Sequence, residues 1–301
     1  MKLDQLRDIL VLIAKNQPVR KAHLITKCEK EGLLKSESKN RRLSSSRIYH
    51  YTAALDCMEF VRRIKVQGLG EYYTVRKPHG EAFTKIARFK SAISLTERAA
   101  FAEALFRCDA TKRILTFFVK DSDPTSYGEF LNTAHPAYMI EKPGSLTLVS
   151  DYSSKSQRLT SSYDLISIRW GSLQMCLNVG VVDDLRIRSS EHVPKEKTHV
   201  VFPVDMLRAW TLKSFGDFVK RMIIKWGRRP GILSMPELIY HGCVEGRIQI
   251  DRFHMLLQEL YSAEPAKFYF DRVPSVPSLG FAKGYPMLGG QHRSVVRLIS
   301  R

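Results

Sequence analysis

No run in this 301-residue chain approaches the roughly 18 apolar residues that a membrane-spanning helix needs. The first residues, Met-Lys-Leu-Asp-Gln-Leu-Arg-Asp, pass directly into an amphipathic pattern, which is not how a secretory leader reads. Cysteine is scarce and scattered. Cys28, Cys57, Cys108, Cys176 and Cys243 are odd in number and never form a Cys-x-x-Cys pair. That argues against zinc fingers and against a disulfide framework, and suits a reducing cytoplasm. Catalytic signatures are missing as well. There is no Gly-x-x-x-x-Gly-Lys-Ser/Thr phosphate loop, no His-Glu-x-x-His, no Gly-x-Ser-x-Gly and no Gly-x-Gly-x-x-Gly. The nine histidines fall at no metal-ligand spacing, so neither a metal nor another cofactor is expected.

Negative charge is the other shortage. The chain has 30 Asp and Glu against 48 Lys and Arg, a net charge of +18. An excess of this size fits a protein that holds a polyanion, because each cation set on a phosphate releases condensed counterions. The charge is unevenly placed: residues 1–80 carry 17 basic and 8 acidic side chains, half of the net total. Lys267 to Arg301 carries six basic residues against one acidic.

Residues 41–77 are the most organised stretch. Leu3, Leu6, Ile9, Leu10 and Ile13 first make a helical stripe that stops near Asn16-Gln17-Pro18. Arg20 to Glu31 reads as a second helix, with Ala22, Leu24 and Ile25 inward and Gly32 as its stop. A basic, serine-rich lead-in follows at Arg41, Arg42, Ser44, Ser45, Ser46 and Arg47, and serine is a favoured helix cap. Ile48, Tyr51, Leu55 and Met58 then line one face of a third helix. Beyond it the period changes to two, with Val61, Ile64 and Val66 in one strand. Gly68-Leu69-Gly70 forms a turn, and Tyr72, Tyr73 and Val75 lie in a returning strand. Pro78 to Gly80 closes the section. Three helices followed by a glycine-turned ribbon resemble the winged-helix superfamily.

Ser94-Leu95-Thr96-Glu97 has the form of a capping box and fronts a helix through Phe101, Leu105 and Phe106. The helix breaks near Asp109, with more apolar length from Ile114 to Val119 and a loop from Asp121 to Tyr127. From Lys142 the pattern starts again. A turn at Pro143-Gly144 and a short strand over Leu146–Val149 lead to Arg158-Leu159-Thr160-Ser161-Ser162, which echoes Arg42 to Ser46. A helical stripe follows at Ile166, Trp170, Leu173 and Leu177, and then a β-like segment over Val181–Ile187. The last section has helices over Leu212–Trp226 and Ser234–His241, and a third capped by Asp251 with Phe253, Leu256, Leu257 and Leu260 inward. Strands over Lys267–Asp271 and Ser294–Ser300 flank a Gly/Pro loop, Pro274–Gly290.

The expectation is therefore an α+β, mainly helical protein with two or three tandem winged-helix units joined by helical and loop connectors. Residues 1–80 would form the first unit. Residues 81–202 would be a helical middle region holding a possible degenerate one, and 203–301 the last unit, with a long wing. The resemblance implies that the third helix enters the major groove of duplex DNA. Arg41, Arg42, Ser44, Ser45, Ser46, Arg47 and His50 would then face DNA, with Arg47 suited to read guanine. Arg62, Arg63 and Lys65 on the ribbon would meet the flanking backbone. Arg158, Ser161 and Ser162 would repeat the role in the middle section, and Lys283, His292 and Arg293 would serve on the last wing. This reading gives a non-enzymatic, cytoplasmic, nucleoid-associated DNA-binding protein without membrane contact. It would act as a transcriptional regulator or as the DNA-recognition subunit of a larger complex, such as genome-defence or mobile-element machinery. Two alternatives stand beside it. One is a nuclease or nucleic-acid-processing subunit with an acidic site in the middle region, for which Asp183-Asp184 is the candidate and Asp121/Asp123 the other close acidic pair, and the other is a winged-helix scaffold for protein partners.

Overall fold

The computed structural model describes residues 2–33, 45–116, 118–119, 122–135, 138–142, 145–149, 157–158, 173–185, 199–227, 229–272 and 286–299. They form an α+β protein of helices with small antiparallel sheets, divided into two compact units. One comprises 1–133 with 161–180, and the other 134–160 with 181–301, so the expected middle section is shared between them. No described helix is long and apolar enough to cross a membrane.

In the first unit, α1 (Leu3–Asn16) buries Leu3, Leu6, Ile9, Leu10 and Ile13, the stripe that its sequence spacing requires. The chain then turns into β1 (Val19–Arg20), which is too short to read from sequence. In α2 (Lys21–Lys30), Leu24 and Cys28 are the buried residues. Ala22, expected inward, is exposed, because the inward face follows Leu24 and Cys28 at a step of four. Gly32 ends the segment at φ +65°, where an L side chain would be strained. In α3 (Ser45–Cys57), Ile48, Tyr51 and Leu55 point into the core, with Met58 buried just beyond. β2 (Val61–Val66) and β3 (Gly70–Val75) pair from Val61↔Val75 to Val66↔Gly70, and β1 adds to the other edge of β3. The strand order is β1-β3-β2. Val61 and Tyr73 are buried, but Ile64 and Val66 are exposed, so the ribbon's far end projects beyond the core.

Where Pro78–Gly80 read as an end, the chain continues into α4 (His79–Ile86). Gly80 allows this approach: a Cβ there would stand 2.0 Å from the Phe60 carbonyl oxygen. The close contact lets the rings of Phe60, Phe83 and Phe101 pack tilted and edge-on against one another, with centroids 4.7 to 5.8 Å apart. The capping box forms as its residues suggest. Ser94 Oγ accepts from the Glu97 amide at 3.2 Å, and the Glu97 carboxylate accepts from the Ser94 amide at 2.7 Å, opening α5 (Leu95–Leu105). Helices α6 (Asp109–Thr116), α7 (Tyr127–Thr133) and α8 (Leu173–Val179) complete the described part of this unit.

Two polar features brace it. Arg7 is fully buried: its Nε lies 2.8 Å from Asp8 and its Nη1 lies 3.6 Å from Glu97. Asp8 also accepts from the Lys90 amide, and Glu97 from the Arg88 amide. One cation thus fixes the 88–97 connection against α1. The second feature is one disulfide that the sequence reading, which argued against a disulfide framework, did not name: Cys57 and Cys108 are bonded across 51 residues. Nothing in their spacing announces this, because the fold brings the end of α3 to the turn between α5 and α6.

The second unit holds a five-stranded antiparallel sheet. Its strands are β4 (Tyr138–Lys142), β5 (Ser145–Val149), β6 (Gln157–Arg158), β7 (Val182–Leu185) and β8 (His199–Pro203). They lie in the order β6-β5-β4-β8-β7. The short strands over 145–149 and 182–185 match the sequence reading, but among the described residues no third three-helix unit surrounds them.

The C-terminal part begins with α9 (Leu212–Trp226), capped by Thr211 and Ser214. β9 (Ile232–Ser234) leads into α10 (Met235–Gly246), where Ser234 is the cap and Pro236 occupies the first turn, as expected. α11 (Ile250–Ala263) buries Phe253, Leu256, Leu257 and Leu260. Asp251 does not cap it. The helix starts after Gln249 without a side-chain cap of its own, and the Ile250 amide donates to Asp183 Oδ2 at 2.9 Å, across to β7. β10 (Phe268–Arg272), β11 (Met287–Leu288) and β12 (Gln291–Leu298) follow. β12 pairs with β10, β11 and β9. Residues 3–75 and 212–298 therefore share one order, helix, strand, helix, helix, strand, closing strand, except that 212–298 adds the two-residue β11 before its closing strand. In each, the closing strand pairs with both the first strand and the strand after the third helix.

Candidate nucleic-acid interface

Arg41, Arg42 and Ser44 lie outside the described residues, and Ser45, Ser46 and Arg47 are described only as the first turn of α3. Past that turn, the buried stripe of Ile48, Tyr51, Thr52 and Leu55 sets the helix's rotation. Tyr49 is therefore directed outward, at 42% exposure, with His50 half-buried beside it and the two rings 5.9 Å apart. Thr52 is used internally: its hydroxyl donates to the Ile48 carbonyl at 3.0 Å and lies 3.3 Å from the Tyr73 hydroxyl. Burial raises the Tyr73 hydroxyl to about 12, so it stays protonated.

The ribbon joins this helix face through Arg63. Its guanidinium lies 5.5 Å from the Tyr49 ring centroid and 3.2 Å from Glu71. A hydrogen bond with the Tyr49 side chain is the main cause holding Arg63 above its ordinary range. Lys21, at the start of α2, approaches the same ring at 5.7 Å and the same carboxylate at 3.4 Å. Glu71 thus neutralises part of this pair and orders Tyr49 between two cations. Arg62 and Lys65 are different. Both are exposed on β2, and neither has an ion-pair partner among the described residues. Arg20 is exposed as well, and its guanidinium lies beside the ribbon turn, 3.8 Å from where a Cβ on Gly70 would be. Arg20, Lys21, Arg62, Arg63 and Lys65, set against Glu71, give a cationic surface with one outward aromatic ring.

Sequence reasoning found Arg62, Arg63, Lys65 and His50 but passed over Tyr49, Arg20 and Lys21. Tyr49 had a usable signal, since it sits one step off the Ile48–Tyr51–Leu55 stripe. Arg20 and Lys21 had none, because a two-residue strand carries no periodicity. Nearby cations are committed elsewhere: Glu59 accepts from Arg76 at 3.0 Å and has His79 and Arg107 within 3.9 Å.

The other candidate positions are dispersed. Arg158 is placed only by its backbone, in β6 opposite Thr147, and Ser161, Ser162 and Lys283 lie outside the described residues. His292 is half-buried on β12, opposite Met287. Arg293, expected on an exposed wing, is instead buried at 6% exposure. It donates to the carbonyls of Phe270 and Leu288 and to the Tyr261 hydroxyl, at 2.9 to 3.2 Å. Its guanidinium closes the β11–β12 hairpin.

Among the described residues the acidic candidates form no convergent site. Asp183 accepts from the amides of Asp184 and Ile250, which makes it a capping group. Asp123 pairs with Lys112 at 3.1 Å, and Asp121 lies outside the described residues. Among the described residues, no group of three His, Cys, Asp or Glu side chains could hold a metal. Cys28, Cys176 and Cys243 are buried, and burial is the first cause raising each thiol, Cys28 to about 12, so none is poised as a nucleophile. Compared with known protein families, with curated proteins and with solved structures, the chain matches none.

Proposed function

We propose that this protein binds duplex DNA without enzymatic turnover, through residues 1–77 acting as a winged-helix unit. The observation that carries the reading is the joining of α3, the ribbon and the α2 start into one cationic face around Tyr49. That face is built on the part of the chain holding half of the net positive charge. A helix of this kind fits the major groove, and a projecting two-stranded ribbon fits the flanking backbone. The ribbon's exposed Ile64 and Val66 support the same role, because a core would have buried them. The recurrence of the element order in 212–298 supports a tandem arrangement, in which two contacts on one chain raise affinity through effective concentration. A regulator or the DNA-recognition subunit of a larger assembly would both use such a face.

The test is fluorescence anisotropy with a random duplex across a salt series, without added metal. Steep salt dependence is expected, and the double variant Arg62→Ala/Lys65→Ala should flatten the log–log slope by about 1.8. The same two contacts correspond to roughly 30-fold weaker binding at 0.15 M salt. Binding of the parent protein that ignores salt, or an unchanged slope in the double variant, would refute this use of the ribbon.

A further inference from the structure

The two similarly ordered parts of the chain carry their charge on different helices. In α3 the outward residues after the first turn are Tyr49, His50 and Ala53, with no carboxylate before Asp56. The corresponding helix of the C-terminal part, α11, presents Asp251, Met255 and Glu259 on its exposed face, Met255 at 63% exposure, with Arg252 half-buried beside Asp251 as its one Lys or Arg. Laid in a groove, that face would bring two carboxylates towards phosphates. Like charges repel there, and the bare methionine would gain little. The neighbouring α10 adds no outward cation, since it has no Lys or Arg and its His241 is buried.

Among the helices of this part, the exposed positive charge lies on α9. Lys213, Asp217, Lys220, Arg221 and Ile224 follow at steps of four, three, one and three, and all are exposed. Phe215, Phe218, Val219, Met222 and Ile223 anchor the opposite face in the core. Lys225 is taken by Glu245 at 2.9 Å, which leaves Lys213, Lys220 and Arg221 as the outward cations against the single carboxylate of Asp217, a net charge of +2 on this face. Lys213 to Arg221 spans about 12 Å at the helical rise, on the order of the width of the major groove. Cations at the two ends of such a row can meet phosphates on facing strands. Arg208, exposed just before the Thr211 cap and stacked 4.0 Å over Trp210, extends the same charge at the helix entry.

From this distribution we infer that the C-terminal part grips the DNA sugar-phosphate backbone through the Lys213–Lys220–Arg221 face of α9, and that α11 stays out of the groove. The inference rests on the duplex-DNA reading above and adds to it a second, sequence-independent contact, made by the first helix of its unit and not the third. Phosphate contacts position a protein without reading bases. The N-terminal face would then select a site, and α9 would supply affinity common to every sequence.

The experiment uses the full chain and the same salt series on random duplex. It compares Lys220→Ala/Arg221→Ala, Met255→Glu on α11, and Arg62→Ala/Lys65→Ala. All of these positions are exposed, and far-UV circular dichroism checks that the fold is kept. The α9 double variant is expected to lose about 1.8 from the salt slope and roughly 30-fold in affinity at 0.15 M salt, equally on all duplexes. Met255→Glu is expected to bind as the parent does. If the ribbon variant loses slope while the α9 variant does not, the α9 contact is wrong and the duplex-DNA reading stands. A tenfold or greater loss from Met255→Glu would place α11 at the duplex and overturn the inference. If the parent protein binds duplex without salt dependence, both proposals fail together.

Discussion

Replacing Arg7 with methionine tests how the first unit is held together. The substitution keeps the bulk of a long side chain while removing the cation that faces Asp8 at 2.8 Å and Glu97 at 3.6 Å, all three nearly without exposure. Removing one partner of a buried ion pair leaves charge uncompensated, which costs about 3–5 kcal/mol. The cost should depend on pH. Burial opposes ionisation of Glu97, but hydrogen bonds from Ser94 and Arg88 and the charge of Arg7 outweigh it, so its carboxyl sits below the usual range. A lowered carboxyl value adds stability above its unfolded value, near 4.3, and that stability is lost as pH falls through the folded value. Without Arg7 the folded value rises. The penalty should therefore be full at pH 7 and shrink as the pH drops towards 4, where a neutral Glu97 no longer needs a partner. Hydrogen–deuterium exchange on the whole protein reads this out locally. Amides of α1 and α5 should exchange faster by about two to three and a half decades at pH 7, at roughly 1.4 kcal/mol per decade. A penalty that stays constant between pH 7 and 4 would show that packing, not charge, is what Arg7 supplies.

Three further outcomes follow from the packing. Reducing the Cys57–Cys108 bond, or replacing Cys108 with serine, reopens a loop of 51 residues, worth up to about 4 kcal/mol on chain-entropy grounds. Exchange protection in α3 and α5 should fall on reduction, and identical protection with and without reductant would contradict this. Gly80→Ala forces a Cβ onto the Phe60 carbonyl and should cost about 1–3 kcal/mol, seen as a lower denaturation midpoint. Gly128→Ala, on a helix position with open space, should be neutral or slightly stabilising and serves as the control. Arg293→Met strips the donors from the Phe270 and Leu288 carbonyls and should cost about 2–4 kcal/mol in the β10–β12 region, while the salt slope for DNA stays as in the parent. A flattened slope in that variant would show that Arg293 reaches DNA after all.

Regular periodicity was legible wherever a single face had to be buried. The Leu3–Ile13 stripe, the Ile48–Leu55 stripe and the Leu212–Trp226 helix all follow from spacing alone, because a one-sided core imposes a 3.6-residue repeat on the chain. The Ser94–Glu97 box was equally readable, since both halves of the reciprocal bond lie within one turn. The ribbon was found from its glycines, although its apolar alternation misled: Ile64 and Val66 serve the projecting part and not the core. Of the candidate site, the ribbon cations could be named because they crowd within four residues.

What stayed hidden depends on partners far along the chain. Arg293 among glycines looks like a wing contact, and only the carbonyls of Phe270 and Leu288 reveal a hairpin clamp. Asp251 looks like a helix cap, but the acceptor at that helix start comes from Asp183, 67 residues earlier. Cys57 and Cys108 carry no spacing signal until the end of α3 meets the turn between α5 and α6. By itself the sequence determined the helices, the glycine turns and the bias of charge towards residues 1–80, because each depends on neighbours within a few turns. The tertiary structure decided which cations remain outward, Arg62 and Lys65 as against Arg7 and Arg293. It also placed the C-terminal charge on α9 and set Tyr49 between Lys21 and Arg63. Burial and ion pairing are long-range properties, so the same arginine is a clamp or an interface according to what folds against it.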